Sequence, residues 1–210
     1  MNGRLEAEAI RDPAAYDAVL FDFDGTLVDT MPLHFEAYRR TFDELGLELT
    51  HEDFFRNIGG TALETIPKFL RGRSTTWTVV EIHERKKRAL AEILEDCPLS
   101  PLPISRLLPL LHGRVPMAVA TSGARPGVSR MIARLGWERF FGAVVSAEDV
   151  RHGKPAPDLF AEAARRLGVD PRRCLVFEDT DDGAAAGRAA GATVVDVRAM
   201  AAPAAHQQLR

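Results

Sequence analysis

Hydrophobic residues gather along the chain in short, almost unbroken runs of four to six, a pattern typical of strands buried on both faces of a sheet. Five runs predict strands, and they lie at 18–23, 116–121, 143–146, 174–178 and 193–197. Between the last four runs, apolar residues recur at helical spacing. The alternation of strand and helix predicts a parallel α/β sheet, in which ligands bind beyond the carboxyl ends of the strands.

About 90 residues separate the first two predicted strands, and this segment has no convincing strand pattern. A structureless loop of that length is uncommon in a compact domain. Two apolar stripes at helical spacing run through it, formed by Phe35, Tyr38, Phe42 and Leu45 and by Ile82, Ala89, Leu90, Ile93 and Leu94. We therefore predict a helical domain over 30–103, inserted into a core of residues 1–29 and 104–210. The charged run at 84–88 is expected to be a solvated helix face.

The composition and net charge of the chain limit the classes of molecule that it is expected to bind. The chain is 46% hydrophobic, enough for a real core, and its net charge of -3 lacks the basic surface that nucleic acid requires. No apolar run approaches the roughly 18 residues of a membrane span, and residues 1–13 lack the apolar stretch of a signal peptide. We expect a cytoplasmic protein without a nucleic-acid or membrane partner. The sequence leaves the oligomeric state open, with a monomer favoured.

Two acidic residues, Asp22 and Asp24, stand at the end of the first predicted strand, with Phe23 between them. The strand period of two places both carboxylates on one face. Like charges this close cost free energy unless a cation or a shared proton intervenes. A solvated Asp-Gly turn is the alternative, but the hydrophobic run before the pair and the second acid favour a functional site.

A second acidic pair, Glu178 and Asp179, ends the strand at 174–178 in the same manner. Because the carboxyl ends of parallel strands lie at one edge of the sheet, we expect all four carboxylates to converge there. An oxygen-only cluster, without His or Cys nearby, favours a hard cation such as Mg²⁺ and disfavours zinc.

Two further segments carry candidate anion-binding groups. Thr121, Ser122 and Gly123 follow the second predicted strand and precede a helix, so their hydroxyl and N–H groups should face the same edge. Helix capping is the simpler explanation for these residues taken alone. Lys154 lies between Gly153 and a proline, and this restrained backbone suits a positioned charge better than a mobile surface lysine.

Together these segments resemble a known family. In order along the chain, Asp22-Phe23-Asp24-Gly25-Thr26, Thr121-Ser122-Gly123, Lys154-Pro155 and Glu178-Asp179 resemble the four motifs of the haloacid dehalogenase superfamily. The likeness covers nearly the whole chain from about Tyr16, and the helical insertion is similar to the small cap of the β-phosphoglucomutase-like branch. It implies a Rossmann-like core and a phosphoric monoester hydrolase.

The resemblance also implies roles for individual residues. Asp22 would attack phosphorus and form an aspartyl phosphate, and Asp24 would act as general acid and base. Thr121 and Lys154 would hold phosphoryl oxygens. The implied Mg²⁺ ligands are Asp22, Asp24 through its backbone carbonyl, and Asp179. Glu178 would either bind the ion directly or contact the groups that bind it. The implied substrate-binding positions are Gly25, Thr26, His34, Ser122 and Gly123.

The expected substrate is a small phosphorylated metabolite. Residues 112–114, 116–119 and 176–179 resemble bacterial phosphatases that act on fructose 1-phosphate and similar sugar phosphates, so we predict a sugar-phosphate phosphatase. A phosphomutase of the β-phosphoglucomutase kind is the first alternative, because His34 matches a histidine in that family's cap. The mutase arginine that grips the second phosphate is missing at 59–62, although Lys68, Arg71 or Arg73 could replace it. The second alternative is a phosphosugar-binding protein without turnover.

Overall fold

A five-stranded parallel sheet forms the centre of the molecule in a computed structural model that describes residues 12–58 and 61–200. Its strands are β1 (Ala18–Phe21), β2 (Met117–Ala120), β3 (Ala143–Val145), β4 (Cys174–Glu178) and β5 (Thr193–Asp196). They lie in the order β3-β2-β1-β4-β5. The predicted α/β fold class and all five strands are confirmed.

Four of the five predicted strands were too long by one or two residues, and only β4 was predicted with its observed ends. The first predicted strand ran to residue 23, whereas β1 ends at Phe21. Beyond that point the Asp22 N–H still donates to the Phe177 carbonyl at 3.0 Å, after which the chain turns away from the sheet. The residues that hydrophobicity assigned to strand ends therefore belong to the loops that carry the polar groups.

Each central strand is buried on both faces, because its side chains alternate between two hydrophobic clusters. In β1, Val19 and Phe21 belong to a cluster on one face, and Ala18 and Leu20 belong to a cluster on the other. The stacked rings of Phe21 and Phe177 lie 5.3 Å apart between neighbouring strands. We call the cluster that contains Phe21 core cluster 1.

The segment between β1 and β2 is helical, as predicted. Its helices are α1 (Met31–Glu44), α2 (His51–Asn57), α3 (Ala62–Phe69) and α4 (Val79–Asp96). The Thr78 hydroxyl accepts a hydrogen bond from the Glu81 N–H at 3.2 Å, so a capping box begins α4. We call the seven buried residues that hold these helices together the cap cluster: Tyr38, Phe42, Leu49, Phe54, Ile66, Phe69 and Ile82.

The inserted helices also pack directly on the core. Leu33 and Ala37 of α1, and Ile93 and Leu94 of α4, belong to core cluster 1 rather than to the cap cluster. Arg134 donates to the carbonyl of Cys97 at 2.9 Å, just after α4 ends. The division of the chain at residues 30 and 103 stays a prediction, and one end of each long cap helix shares the hydrophobic core.

Four shorter helices complete the core: α5 (Leu107–Leu111), α6 (Arg125–Arg134), α7 (Asp158–Leu167) and α8 (Asp181–Ala189). α7 ends at Gly168, whose φ of 75° is the left-handed conformation that favours glycine. In the part of the chain that the structure describes, no helix is both long enough and apolar enough to cross a membrane.

Candidate active site

The candidate site lies at the carboxyl edge of the sheet, where the chain leaves β1, β2 and β4. Asp22 directly follows β1, Thr121 directly follows β2, and Glu178 is the last residue of β4. Asp22, Thr121 and Glu178 are buried although all three are polar. Buried polar groups need partners, and each of these side chains finds one in another segment of the site.

Lys154 bridges two of the buried carboxylates. Its Nζ donates to Oδ1 of Asp22 and, at 2.6 Å, to Oε2 of Glu178. Although burial works in the opposite direction, the charges of Asp22 and Glu178 raise the pKa of Lys154 above its usual range. Burial and the neighbouring Glu178 charge raise the pKa of Asp22 well above its usual value. Lys154 therefore remains a cation, and Asp22 needs a positive neighbour to stay ionised.

Three carboxylates lie close enough together to share one cation. Oxygen atoms of Asp22, Glu178 and Asp179 all lie within 4.8 Å of one another. Burial, followed by the Glu178 charge, raises the pKa of Asp179 to about 6. An oxygen-only donor set with mutually repelling charges fits a hard divalent cation. The side chain of Asp24 is not part of this group, and its contribution through the backbone carbonyl stays a prediction.

Both members of the second acidic pair are held by other groups. The Thr26 hydroxyl donates to Oδ1 of Asp179 at 2.9 Å. Oε1 of Glu178 accepts hydrogen bonds from the Asp179 N–H and from both the N–H and the hydroxyl of Thr180, at 3.2, 3.0 and 2.8 Å. The Glu178 carboxylate is thus fully engaged by protein donors, which favours the more indirect of its two predicted metal roles.

Asp24 faces a different set of partners. The Thr121 hydroxyl donates to its Oδ2 at 3.2 Å, and Nε2 of His34 lies 3.6 Å from its Oδ1. Burial would raise the pKa of Asp24, but the contacts with His34 and Thr121 outweigh burial and lower it. Beside Asp24 lies a cavity of about 50 Å³, lined by cap and core residues that include His34, Leu94 and Gly123. Asp24 therefore stands at the junction of cap and core, where a leaving group could reach it.

Sequence reasoning missed Lys86 as a member of this site. We expected the run at 84–88 to be solvated, but Lys86 is only 7% exposed, and its Nζ lies 2.8 Å from Nδ1 of His34. Burial lowers the pKa of Lys86 to about 8. The helical stripe contains the signal, because Lys86 stands four residues after Ile82 and three before Ala89, both of which are buried. The prediction of a solvated face is therefore wrong for this residue.

Comparison with known proteins agrees with this geometry. Residues 16–191 match the sequence profile of the haloacid dehalogenase-like hydrolases. The chain belongs to this family. The family assignment predicted from the four motifs is thereby confirmed, and the chain is a hydrolase by family.

Several relatives of this haloacid dehalogenase-like hydrolase have names that state a substrate. Fructose-1-phosphate phosphatase YqaB of Escherichia coli is 37% identical over 183 residues, which cover 87% of this chain and 97% of YqaB. Phosphorylated carbohydrates phosphatase of Thermotoga maritima is 33% identical, over 83% of this chain and 82% of that protein. The structure of CbbY from Rhodobacter sphaeroides in complex with phosphate superposes with a TM-score of 0.77 at 28% identity, over 85% of this chain and 84% of CbbY.

The structure brings most of the predicted site residues together. Asp22, Lys154, Glu178 and Asp179 surround one point, and Asp24 with Thr121 and His34 lies alongside. Gly25 packs against the Asp179 carboxylate, and the Gly123 N–H donates to the Thr121 hydroxyl at 2.9 Å. Ser122 lies on the exposed side of the same loop.

The surroundings of Thr26 and of the cap residues test which of them could contact a substrate. Thr26 is 1% exposed and faces Asp179, so it supports a carboxylate instead of lining an open site. Gly59 and Gly60, where a mutase arginine was sought, lie outside the described residues. Arg73, one possible replacement for that arginine, pairs with Asp53 at 2.8 Å.

Proposed function

We propose that this haloacid dehalogenase-like hydrolase is an Mg²⁺-dependent phosphatase of a small phosphorylated metabolite, a sugar phosphate similar to fructose 1-phosphate. The observation that carries the proposal is the placement of Asp22, a buried carboxylate between the Lys154 ammonium and the Glu178-Asp179 pair. A nucleophile in such a site attacks an anionic phosphate only when cations offset the repulsion. The name of YqaB supports the choice of substrate class.

In the first step, an Asp22 oxygen attacks phosphorus in line with the ester oxygen. The negative charge of the bound phosphate raises the pKa of Asp24, so this carboxyl enters the step protonated. The bond from phosphorus to Asp22 forms as the bond to the ester oxygen breaks, and Asp24 gives its proton to the departing alkoxide. Asp24 faces His34 of the cap, where the leaving group would lie, whereas Asp22 faces Lys154. The Lys154 ammonium and the Thr121 hydroxyl stabilise charge on the phosphoryl oxygens.

In the second step, water replaces the alcohol. Asp24, now ionised, takes a proton from water as the water oxygen attacks phosphorus, and the bond to Asp22 breaks. Inorganic phosphate and free Asp22 result. The contact of Asp24 with His34 keeps its carboxylate oriented through both steps, whereas the single O–H of Thr121 donates to Asp24 only until a phosphoryl oxygen takes its place.

Asp22 and Asp179, with Glu178 behind them, would hold the divalent cation. Mg²⁺ bound there would offset the repulsion between the Asp22 carboxylate and the substrate phosphate. The Thr26 hydrogen bond keeps Asp179 turned toward this position. The cap, residues 30–103, would cover a substrate that reaches the protein as a free cytoplasmic metabolite.

The proposal is tested by phosphate release from a panel that includes fructose 1-phosphate and β-glucose 1-phosphate, with Mg²⁺ or with EDTA. We expect Mg²⁺-dependent release that falls by roughly 10⁴-fold or more in Asp22→Asn, the scale of loss when a nucleophile is removed. The matched control is Asp182→Asn, which removes an exposed acid three residues after Asp179 and should retain normal release.

The other outcomes separate the alternatives. Conversion of β-glucose 1-phosphate into glucose 6-phosphate without phosphate release would identify a phosphomutase. Phosphate binding with neither activity would identify a binding protein. Equal rates for Asp22→Asn and the wild type would refute the assignment of the nucleophile.

A further inference from the structure

Asp149, outside the predicted site residues, joins three separate segments of the core. Its Oδ2 accepts hydrogen bonds from the N–H and the hydroxyl of Ser146, at 2.8 and 3.0 Å, and from Nη2 of Arg125. Its Oδ1 accepts from Nη2 of Arg166 at 2.7 Å. Against the effect of burial, the bonds from Arg166 and Ser146 lower the pKa of Asp149 to about 2. This carboxylate is therefore charged at neutral pH and links α6, α7 and the loop after β3.

The same two arginines cover the free edge of the sheet. β3 is an edge strand, and its Val145 carbonyl accepts from the Thr121 N–H, so the preceding Val144 carbonyl faces away from β2. Nη1 of Arg125 and Nη1 of Arg166 donate to that outward carbonyl at 3.2 and 3.1 Å. An edge carbonyl is a group that proteins cover, and here the covering groups also bind Asp149.

A second carboxylate ties the loop after β3 to the loop after β2. Oε2 of Glu148 accepts a hydrogen bond from the backbone N–H of Arg125, the first residue of α6, at 3.1 Å. The Ala147 N–H donates to the Gly123 carbonyl at 3.4 Å. Ala124, at the N-cap of α6, has no side chain that could supply this hydrogen bond. Glu148 therefore caps a helix that belongs to the neighbouring strand-helix unit.

Both tied loops lead directly to candidate phosphate-binding groups. Thr121 begins the loop that Glu148 and Arg125 hold, and Lys154 lies five residues after Asp149. We propose that Arg125, Glu148 and Asp149 are positioning residues that set the spacing between the Thr121 hydroxyl and the Lys154 ammonium. The assignment of those two groups to phosphate rests on the proposed function, whereas the ties between the loops do not.

The hydrogen bonds of Glu148 and Asp149 should increase the affinity for phosphate, because two donors bind one anion well only when their separation is set in advance. Asp149→Asn keeps the shape of the side chain but removes the charge that both arginines share. Each loop then keeps its own local bonds while the link between the loops weakens. We therefore expect a folded variant that binds phosphate with lower affinity.

The experiment measures the Kd of inorganic phosphate by calorimetric titration with Mg²⁺ present, well below the Tm of every variant. We expect Kd to rise about 10-fold in Asp149→Asn and in Arg125→Met, and to rise no further in the double variant, because contacts in one network are not additive. Arg125→Lys should recover part of the loss. Asp17→Asn is the control, since it breaks an exposed pair with Arg173 at the opposite end of the sheet.

An unchanged phosphate Kd in both Asp149→Asn and Arg125→Met, even with a lowered Tm, would overturn the proposal and leave these residues a purely structural role. If Asp149→Asn failed to fold, Arg125→Met alone would decide the matter, because Arg166 still pairs with Asp149 in that variant. The proposed function fails separately: wild-type protein that binds phosphate but releases none from any ester would refute the phosphatase and leave the positioning result intact.

Discussion

Gly25, between the first acidic pair and Thr26, shows how a single residue controls the spacing of the carboxylates. Its φ of 89° lies in the left-handed region, and a Cβ built at this position would overlap the Asp179 carboxylate. The chain therefore needs glycine here for two independent reasons, its backbone conformation and the close approach of a second segment. Gly46 has a similar φ of 68°, but no heavy atom lies within 4 Å of its Cβ position.

We predict that Gly25→Ala lowers Mg²⁺-dependent phosphate release far more than Gly46→Ala does. Both substitutions place a Cβ in a left-handed conformation and should cost about 1–2 kcal/mol of folding free energy. Only Gly25→Ala also pushes the Asp179 carboxylate away from Asp22. The measurements are the Mg²⁺ concentration at half-maximal rate and the Tm. Similar loss of Tm with an unchanged Mg²⁺ requirement in Gly25→Ala would show that the close approach does not matter.

At the scale of elements, the long helices α1 and α4 belong to two hydrophobic clusters. Phe42 of α1 is fully buried in the cap cluster, whereas Leu94 of α4 is 1% exposed in core cluster 1. The two clusters differ in what they support. The cap cluster holds α2 and α3 against the long helices, and core cluster 1 includes residues of β1, β2 and β4.

We predict that Phe42→Ala and Leu94→Ala destabilise different parts of the molecule. Phe42→Ala should cost about 3–5 kcal/mol locally and Leu94→Ala about 2–5 kcal/mol, the usual losses for buried side chains of these sizes. Hydrogen exchange should quicken mainly in α2 and α3 for Phe42→Ala, and in β1 and β4 as well for Leu94→Ala. Equal loss of protection in the strands for both variants would show that cap and core unfold as one unit.

Over the whole molecule, folding buries a set of charges where the cap meets the core. Lys86 reaches this boundary from α4, with Nδ1 of His34 at 2.8 Å and the Tyr38 ring centroid at 5.0 Å. The Asp24 charge favours the ammonium form of Lys86, and burial, followed by the Lys86 charge, lowers the pKa of His83. Desolvation outweighs the attraction to Asp24, so the folded protein binds the Lys86 proton less tightly than the unfolded chain does.

We predict that Lys86→Met stabilises the fold at pH 7 and that this gain vanishes with rising pH. The pKa of Lys86 falls from 10.5 to about 8 on folding. Between those values the unfolded state holds more protons, so wild-type stability rises with pH. The variant should gain up to about 3 kcal/mol at pH 7 and almost nothing near pH 10.5. Denaturant unfolding at several pH values measures this, with the exposed Lys87→Met as control. A gain independent of pH would contradict it.

Sequence alone was sufficient for much of this structure. Buried parallel strands leave near-continuous hydrophobic runs, and all five runs became strands, although four were predicted too long. The carboxylates of Asp22, Glu178 and Asp179 could be grouped because parallel strands bring their carboxyl ends to one edge. Lys154 was added to this group only by the family resemblance. The burial of Lys86 was not predicted, because its four charged neighbours at 84–88 made the segment look solvated although Lys86 lies on a buried helical stripe.

What the sequence by itself determined is therefore the α/β fold, the helical insertion, the family and the residues that meet at the sheet edge. These follow from the local periodicity of hydrophobic residues and from the order of the motifs along the chain, both of which can be read directly from the sequence. Tertiary structure alone decided that Asp24 faces His34, that Lys86 is buried, and that Asp149 links α6 and α7. Charge state, burial and hydrogen bonding depend on distances between residues far apart in the chain, and only the packed molecule sets those distances.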